Sequence, residues 1–436
     1  MNRIRGRARE LSGFELDFSG SGTRFRLFPQ SPEVPGFEEP ETVWVSTPPE
    51  DLGPGPQDSH MYVVDAIDKK PYEFPGAPPY LGPTWPPALA GPDGHFDQLE
   101  PGTHQFEAAH MYGTLRWTLD IWEAYFGRRL KWYFRDDYPR MELVPWVDWN
   151  NAQSGYGFIE TGYRLDGLGR KFPMNLNFDV LAHELGHTIL YSELGLPPPD
   201  GATTSFFAFH EAAADLVAMI SVLHFDYVID RLLVRTSGNL YLRNVLNRIG
   251  EVSPTGQIRM ASNSLTMADV PDVDTPTEDL SAKARHDISL PLTGAVFDLL
   301  VEIFQQNLVD HGLIDTRLND ASREGVADPK RLGEIDREFD LAFGADPVGF
   351  KCALVQARDT MGVYVAWTLD RLDWNLRFGD ILRCVIDADQ SLTGGWYRVE
   401  IEDVFASHGI HLDGTRRPRR GIRSRHLHPD PFTRRV

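Results

Sequence analysis

Three residues, His183, Glu184 and His187, stand as H-E-x-x-H within NLNFDVLAHELGHTILY. On an α-helix, positions four apart lie on one face a turn apart, so both imidazoles can grip one ion while Glu184 projects beside them. The surrounding residues, Val180, Leu181, Ala182, Leu185, Ile189 and Leu190, are apolar almost all round, as expected of a buried helix. Asn177 is the expected N-cap, and Asp179 complements the positive end of the helix dipole. Gly186 weakens a helix interior, which implies that something packs closely there.

Catalytic zinc takes three protein ligands and leaves one position to water. A third ligand must come from elsewhere, and FFAFHEAAADLVAMISVL supplies one on a second apolar helix, expected over Phe206 to Leu223. Glu211 and Asp215 lie one turn apart on it, and two acids on an apolar helix are costly to bury without a cation or a metal. Glu211 is assigned as the third ligand. Asp215 is assigned to the surroundings of the metal, fixing the tautomer of His183. Glu184 is then placed as general base toward the attacking water. His286 is the candidate oxyanion donor, and Arg259 could hold a substrate carbonyl. An extended segment before the metal helix could bind peptide backbone by adding a strand, with Asn151 and Ala152 at its edge.

The elements that would position these residues can be read along the chain. Residues 1 to 103 are dense in Pro and Gly, with short runs such as Thr42 to Val45 and Met61 to Ile67 that suggest strands between rigid turns. From His104 to about Tyr133, large apolar residues at helical intervals predict a long buried helix, with His110 as a structural residue within it. Arg140 to Tyr163 suggests strands with a turn between. Tyr241 to Ile249 is expected to be helical, and Ser253 to Lys283 a long loop containing Arg259. A helix is expected from Leu290 to Phe304, with Pro291 in its first turn and His286 just ahead of it. Arg331 to Ile410 is dominated by helical patterns.

The bulk composition narrows the function classes. The 436 residues are 42% hydrophobic and carry a formal net charge of −20, which argues against a nucleic-acid-binding body. No stretch is expected to be long and apolar enough to span a membrane, and no apolar segment follows the basic N-terminus, so a cytoplasmic location is the default expectation, with unconventional export as the alternative. The Arg-rich run after Arg416 is expected to be a solvated, disordered tail. Cys352 and Cys384 could be free or bridged.

DVLAHELGH followed by HEAAAD resembles the gluzincin metallopeptidases and, more narrowly, the thermolysin-like group. EAAHMYGTLRWTLDIWEAYF is similar to the helix that opens that catalytic domain, and NAQSGYGF to its Asn-Ala substrate-binding edge strand. IRMASN resembles the Leu-Arg-Ser stretch, which would make Arg259 the substrate-binding arginine. RHDISLPLTGAVFDLL is similar to the active-site histidine and its helix, which would give His286 that role. The resemblance covers about residues 104 to 412. It implies an α+β fold with a sheet and helices in the N-terminal half, a mainly α-helical C-terminal half, one catalytic zinc ion and a peptide or protein substrate.

The expected organisation is a Pro/Gly-rich region over 1–103, a subdomain with the H-E-x-x-H helix over 104–200, a mainly helical subdomain over 201–412 and a basic tail over 413–436. Calcium is doubtful: Asp179 matches one acid of the family's calcium site, but the helix after Asp215 carries no further carboxylate. The family's oxyanion-stabilising tyrosine has no counterpart between the two ligand helices, leaving that role vacant or to Tyr156 or Tyr163. The alternative to a peptidase is therefore a catalytically inactive metal-containing protein that binds peptides or serves a structural role on the same fold.

Overall fold

The computed structural model describes residues 16–73, 76–165, 168–198, 201–241, 248–253, 256–260, 263–273, 282–324, 329–412 and 414–415. The fold mixes helices and sheets, and the chain divides into two compact units. One holds Glu15–Gly195 and Gly250–Ile258, and the other is built mainly from Leu196–Ile249 and the chain from Arg259 onward. The basic tail after Arg416 lies outside the described residues.

In the first unit, β1 (Thr23–Leu27) pairs antiparallel with β2 (Glu41–Val45) and buries Thr23, Phe25 and Leu27 on one face, the period-two pattern of a half-buried strand. The face packs on α1 (His104–Phe126) where Gly113 permits it: a Cβ there would meet Leu27 and Phe25 side-chain atoms at 2.9 Å. Thr103 caps α1 by accepting from the Phe106 N–H at 3.2 Å. Gly127 ends the helix at φ 65°, short of the Tyr133 that apolar spacing suggested, because a left-handed residue stops helical pairing whatever follows.

Two buried polar clusters of this unit are paired through α1. Arg116, 1% exposed, donates to Asp120 and Glu123 on its own helix, and Asp120 accepts from the Ser46 backbone and hydroxyl. His110 fulfils its structural reading: its Nε2 accepts from the Phe28 N–H at 2.9 Å, and Nδ1 donates to the Asn175 carbonyl at 2.8 Å. Burial pushes its pKa down to about 4, so the ring is neutral and holds β1 and the approach to the next helix against α1.

A four-stranded sheet runs in the order β3 (Met61–Val63), β4 (Met141–Val144), β6 (Phe158–Thr161), β5 (Ala152–Gly155). The first three are parallel and β5 is antiparallel at the edge. A small hairpin, β7 (Tyr163–Leu165) with β8 (Lys171–Pro173), leads to α2 (Phe178–Leu194), which packs on α1 and β5. Asn177 caps α2 as expected, its Oδ1 accepting from the Val180 N–H at 3.1 Å.

The second unit opens with α3 (Thr204–Val222), capped by Thr203, whose hydroxyl accepts from the Phe206 N–H at 3.1 Å. By length and apolarity α3 could cross a membrane, contrary to the expectation that no stretch could, yet 89% of it is buried inside the protein. That burial marks it as a core helix. After α4 (Asp226–Thr236) the expected helix over Tyr241 to Ile249 does not persist: Arg248 and Ile249 open β9 (Arg248–Ser253), paired with β10 (Gly256–Met260), and 242–247 lie outside the described residues.

The centre of this unit is α5 (Ala282–Asp310), which packs on α3, on α8 (Pro347–Leu369) and on α10 (Arg398–Ser407). It begins eight residues before the expected Leu290, so Pro291 lies inside the helix and not in its first turn. Ser289 Oγ donates to the His286 carbonyl at 2.6 Å in the turn that approaches the proline. Packing on three helices outweighs the roughly 3 kcal/mol that an interior proline costs. The remaining elements are α6 (Thr316–Arg323), α7 (Pro329–Ala345), α9 (Phe378–Leu392) and a short closing pair, β11 (Ile410–His411) with β12 (Gly414–Thr415). Cys352 and Cys384 are both free thiols.

Candidate metal centre and its neighbours

On α2 most residues are buried, His183 included, whereas Glu184, His187, Tyr191, Ser192 and Glu193 are only partly so. Glu184, His187 and Tyr191, spaced three and four apart, share a partly exposed stripe along one face of this mostly buried helix. His183 and His187 converge there: their Nε2 atoms are 3.1 Å apart, with the rings in an edge-to-face arrangement. Two nitrogens on tetrahedral zinc would stand about 3.3 Å apart given Zn–N bonds of about 2.0–2.1 Å. The imidazole pair therefore fits a shared ion.

On α3, in the other unit, only Phe207 and Glu211 escape full burial, again a pair four apart. Asp215 is completely buried one turn further on. His286, 47% exposed on α5, places Nδ1 3.0 Å from Oε2 of Glu211, so the expected oxyanion donor contacts the expected ligand carboxylate directly. The sequence placed His286 ahead of the helix; it is within it, where the α3–α5 packing brings it to Glu211.

Arg259 was expected in a loop but lies on β10, in a two-stranded hairpin. Its strand, Gly256–Met260, alternates Gln257 and Arg259 with Ile258 and Met260, an alternation too short to stand out from the polar segments around it.

The edge strand is where Asn151 and Ala152 were expected to meet a peptide. Gly162 N–H donates to the Asn151 carbonyl at 2.8 Å, which makes 151/162 a hydrogen-bonded pair in the β5–β6 register. Antiparallel alternation then turns the backbone groups of Gln153 and Gly155 toward β6 and those of Ala152 and Ser154 to the open edge. Ala152 keeps its edge position, the Asn151 carbonyl is turned inward, and Ser154 joins Ala152. Sequence reasoning missed Ser154 because which residues face outward depends on the register with β6, which no local pattern encodes.

Neither tyrosine considered for the oxyanion role offers its hydroxyl proton. Tyr156 donates to Asp137 at 2.6 Å and Tyr163 to Asp148 at 2.7 Å. The hydrogen bond to Asp137 pushes the Tyr156 pKa up to about 12. At the calcium-type acid, Gln30 Nε2 donates to Asp179 Oδ2 at 2.7 Å, so an amide N–H occupies one lone pair that a calcium ion would use.

No protein-family model matches the chain, and no curated protein matches it. Among solved structures it is similar to the precursor of protealysin, a metalloproteinase from Serratia proteamaculans, with a TM-score of 0.44 and 14% identity, over 80% of this chain and 86% of that one. At that score the likeness is a likeness only, and the case for function rests on the side chains of α2, α3 and α5.

Proposed function

We propose that the chain is a zinc-dependent metallopeptidase of the thermolysin-like gluzincin kind, hydrolysing internal peptide bonds. The observation that carries this reading is the convergence of His183 and His187 Nε2 atoms, 3.1 Å apart, beside Glu184 on the partly exposed stripe of α2. Glu211, on α3, is the proposed third ligand, which would complete a donor set of two imidazoles and one carboxylate of the type that catalytic zinc takes. When bound, zinc would polarise a substrate carbonyl and lower the pKa of water from about 16 toward about 7.

The chain's own residues supply the rest. Glu184 accepts the proton of the attacking water and passes it to the departing amine. His286 donates to the developing oxyanion, and Arg259 holds a substrate carbonyl. Asp215 orients His183 through its ring N–H. An extended peptide pairs with the outward backbone groups of Ala152 and Ser154, while Asn151 contributes at the strand's entrance.

The commitment of the Tyr156 and Tyr163 hydroxyls to Asp137 and Asp148 favours the one competing reading, a metal-containing peptide-binding protein without turnover. Incubation with an unbiased peptide library, with and without a chelator, separates the two. The peptidase reading expects chelator-sensitive cleavage by the wild type, and a Glu184→Gln variant that keeps its zinc but loses about 10² to 10⁴ in turnover. Equal cleavage by the variant contradicts the mechanism, and no cleavage by the wild type favours the binding protein.

A further inference from the structure

The far end of α5 carries a polar interior that the proposed chemistry does not use. On α6 the buried residues are Leu318, Asn319 and Ser322, so two of the three side chains this helix turns inward are polar. Asn319 and Ser322 are three apart and share one face of α6, which packs on α5. From α5 comes Gln305, fully buried, whose Nε2 donates to the Gly238 carbonyl at 3.2 Å. The turn after α4 supplies Asn239, 2% exposed, whose Oδ1 accepts from the Ser322 hydroxyl at 3.3 Å. That turn is itself fixed, since the Asn239 N–H donates to the Thr236 carbonyl at 2.9 Å.

Three buried atoms of these side chains have no hydrogen-bond partner among the described residues: Nδ2 of Asn239, Oε1 of Gln305 and Oδ1 of Asn319. Burying an amide group without a hydrogen bond is costly, and Leu or Met would fill the same volume without that cost. The three atoms differ in kind, one being an N–H donor and two being carbonyl acceptors. Water matches that set, because it accepts one hydrogen bond and donates two, and a buried water typically makes about three. A metal cation or an ammonium ion has no lone pair for the Asn239 N–H. An anion has no proton for the two carbonyls.

The neighbouring side chains show what such a site would accomplish. Glu302 of α5 accepts from the Tyr241 hydroxyl at 2.9 Å and pairs with Arg323 at 2.9 Å, so a direct polar joint already links α5, the end of α6 and the segment after α4. Gln305, Asn319 and Asn239 belong to the same three elements, with Gln305 one turn along α5 from Glu302. We propose that Asn239, Gln305 and Asn319 form a buried site for one water molecule, which makes a second joint between those elements. About 28 Å of helix separates Gln305 from His286, so the site stands apart from the zinc reading.

Crystals of the full chain, diffracting well enough to order solvent, test this first. One density peak is expected within about 2.7–3.2 Å of all three atoms, with no anomalous signal after a rubidium chloride soak. No peak there overturns the site, and a rubidium signal overturns its assignment to water. Urea unfolding tests it independently. Gln305→Met and Asn319→Leu are each expected to lower the midpoint, and the double variant by less than the sum, because the first substitution already releases the molecule on which the second acts. Strictly additive shifts overturn the shared water. Should a variant fail to fold, the wild-type crystal decides the matter alone.

Discussion

Nδ1 of His286 lies 3.0 Å from Oε2 of Glu211, so two residues assigned different tasks are in direct contact. A histidine that steadies a ligand carboxylate while serving the oxyanion should affect metal retention and turnover together. His286→Ala is expected to weaken zinc binding about tenfold and to lower kcat about a hundredfold with zinc at saturation. Competition with a zinc-sensitive dye gives the first quantity and steady-state kinetics the second. Unchanged kcat at saturating zinc would remove His286 from the reaction.

The neutral, buried His110 links stability to pH. Its folded-state pKa, about 4, is below the ordinary value of 6.5, so between these values the unfolded chain binds more protons than the folded one. The associated stability is complete above about pH 6.5 and is lost as pH falls toward about 4. Between pH 7 and pH 5 this residue should cost on the order of 2 kcal/mol. Urea unfolding at the two pH values measures the loss, and His110→Gln, less stable at neutral pH, should show a smaller pH dependence. An identical dependence in the variant would assign the effect elsewhere.

Lys69 and Glu160 form an ion pair with side chains 3% and 0% exposed. Glu160 also accepts from the Tyr72 backbone and the Gln153 amide, each at 2.6 Å, so it ties the segment before α1 to both β5 and β6. Glu160→Ala strands the ammonium in the interior and should destabilise the protein by about 3–5 kcal/mol, read as a lower urea midpoint. Replacing both residues, Lys69→Met with Glu160→Leu, should recover much of that loss. Failure of the double variant to improve on Glu160→Ala would mean that the hydrogen bonds of Glu160, and not the ion pair, carry the stability.

How much of this was legible in the sequence follows from the range over which each feature is encoded. The caps at Asn177 and Thr103 act within three residues, and the helices they open were readable from apolar spacing and motif. Features set by distant partners were not. Pro291 signals a helix start locally, yet packing of α5 on three other helices carries the helix through it. The outward parity of Ser154 comes from its register with β6, and Lys69 meets Glu160 across 91 residues of chain. At the candidate site, residue types and spacing pointed to His183, Glu184, His187 and Glu211, whereas the contact of His286 with Glu211 needed the fold.

The central claim is that two imidazoles from α2 and one carboxylate from α3 hold a single zinc ion. Anomalous diffraction at the zinc edge from crystals of the zinc-loaded protein tests it most directly. One peak is expected, about 2.0–2.2 Å from a ring nitrogen of His183, a ring nitrogen of His187 and a carboxylate oxygen of Glu211. A peak that leaves Glu211 out, or zinc-loaded crystals with no ordered peak at the histidine pair, would contradict the account.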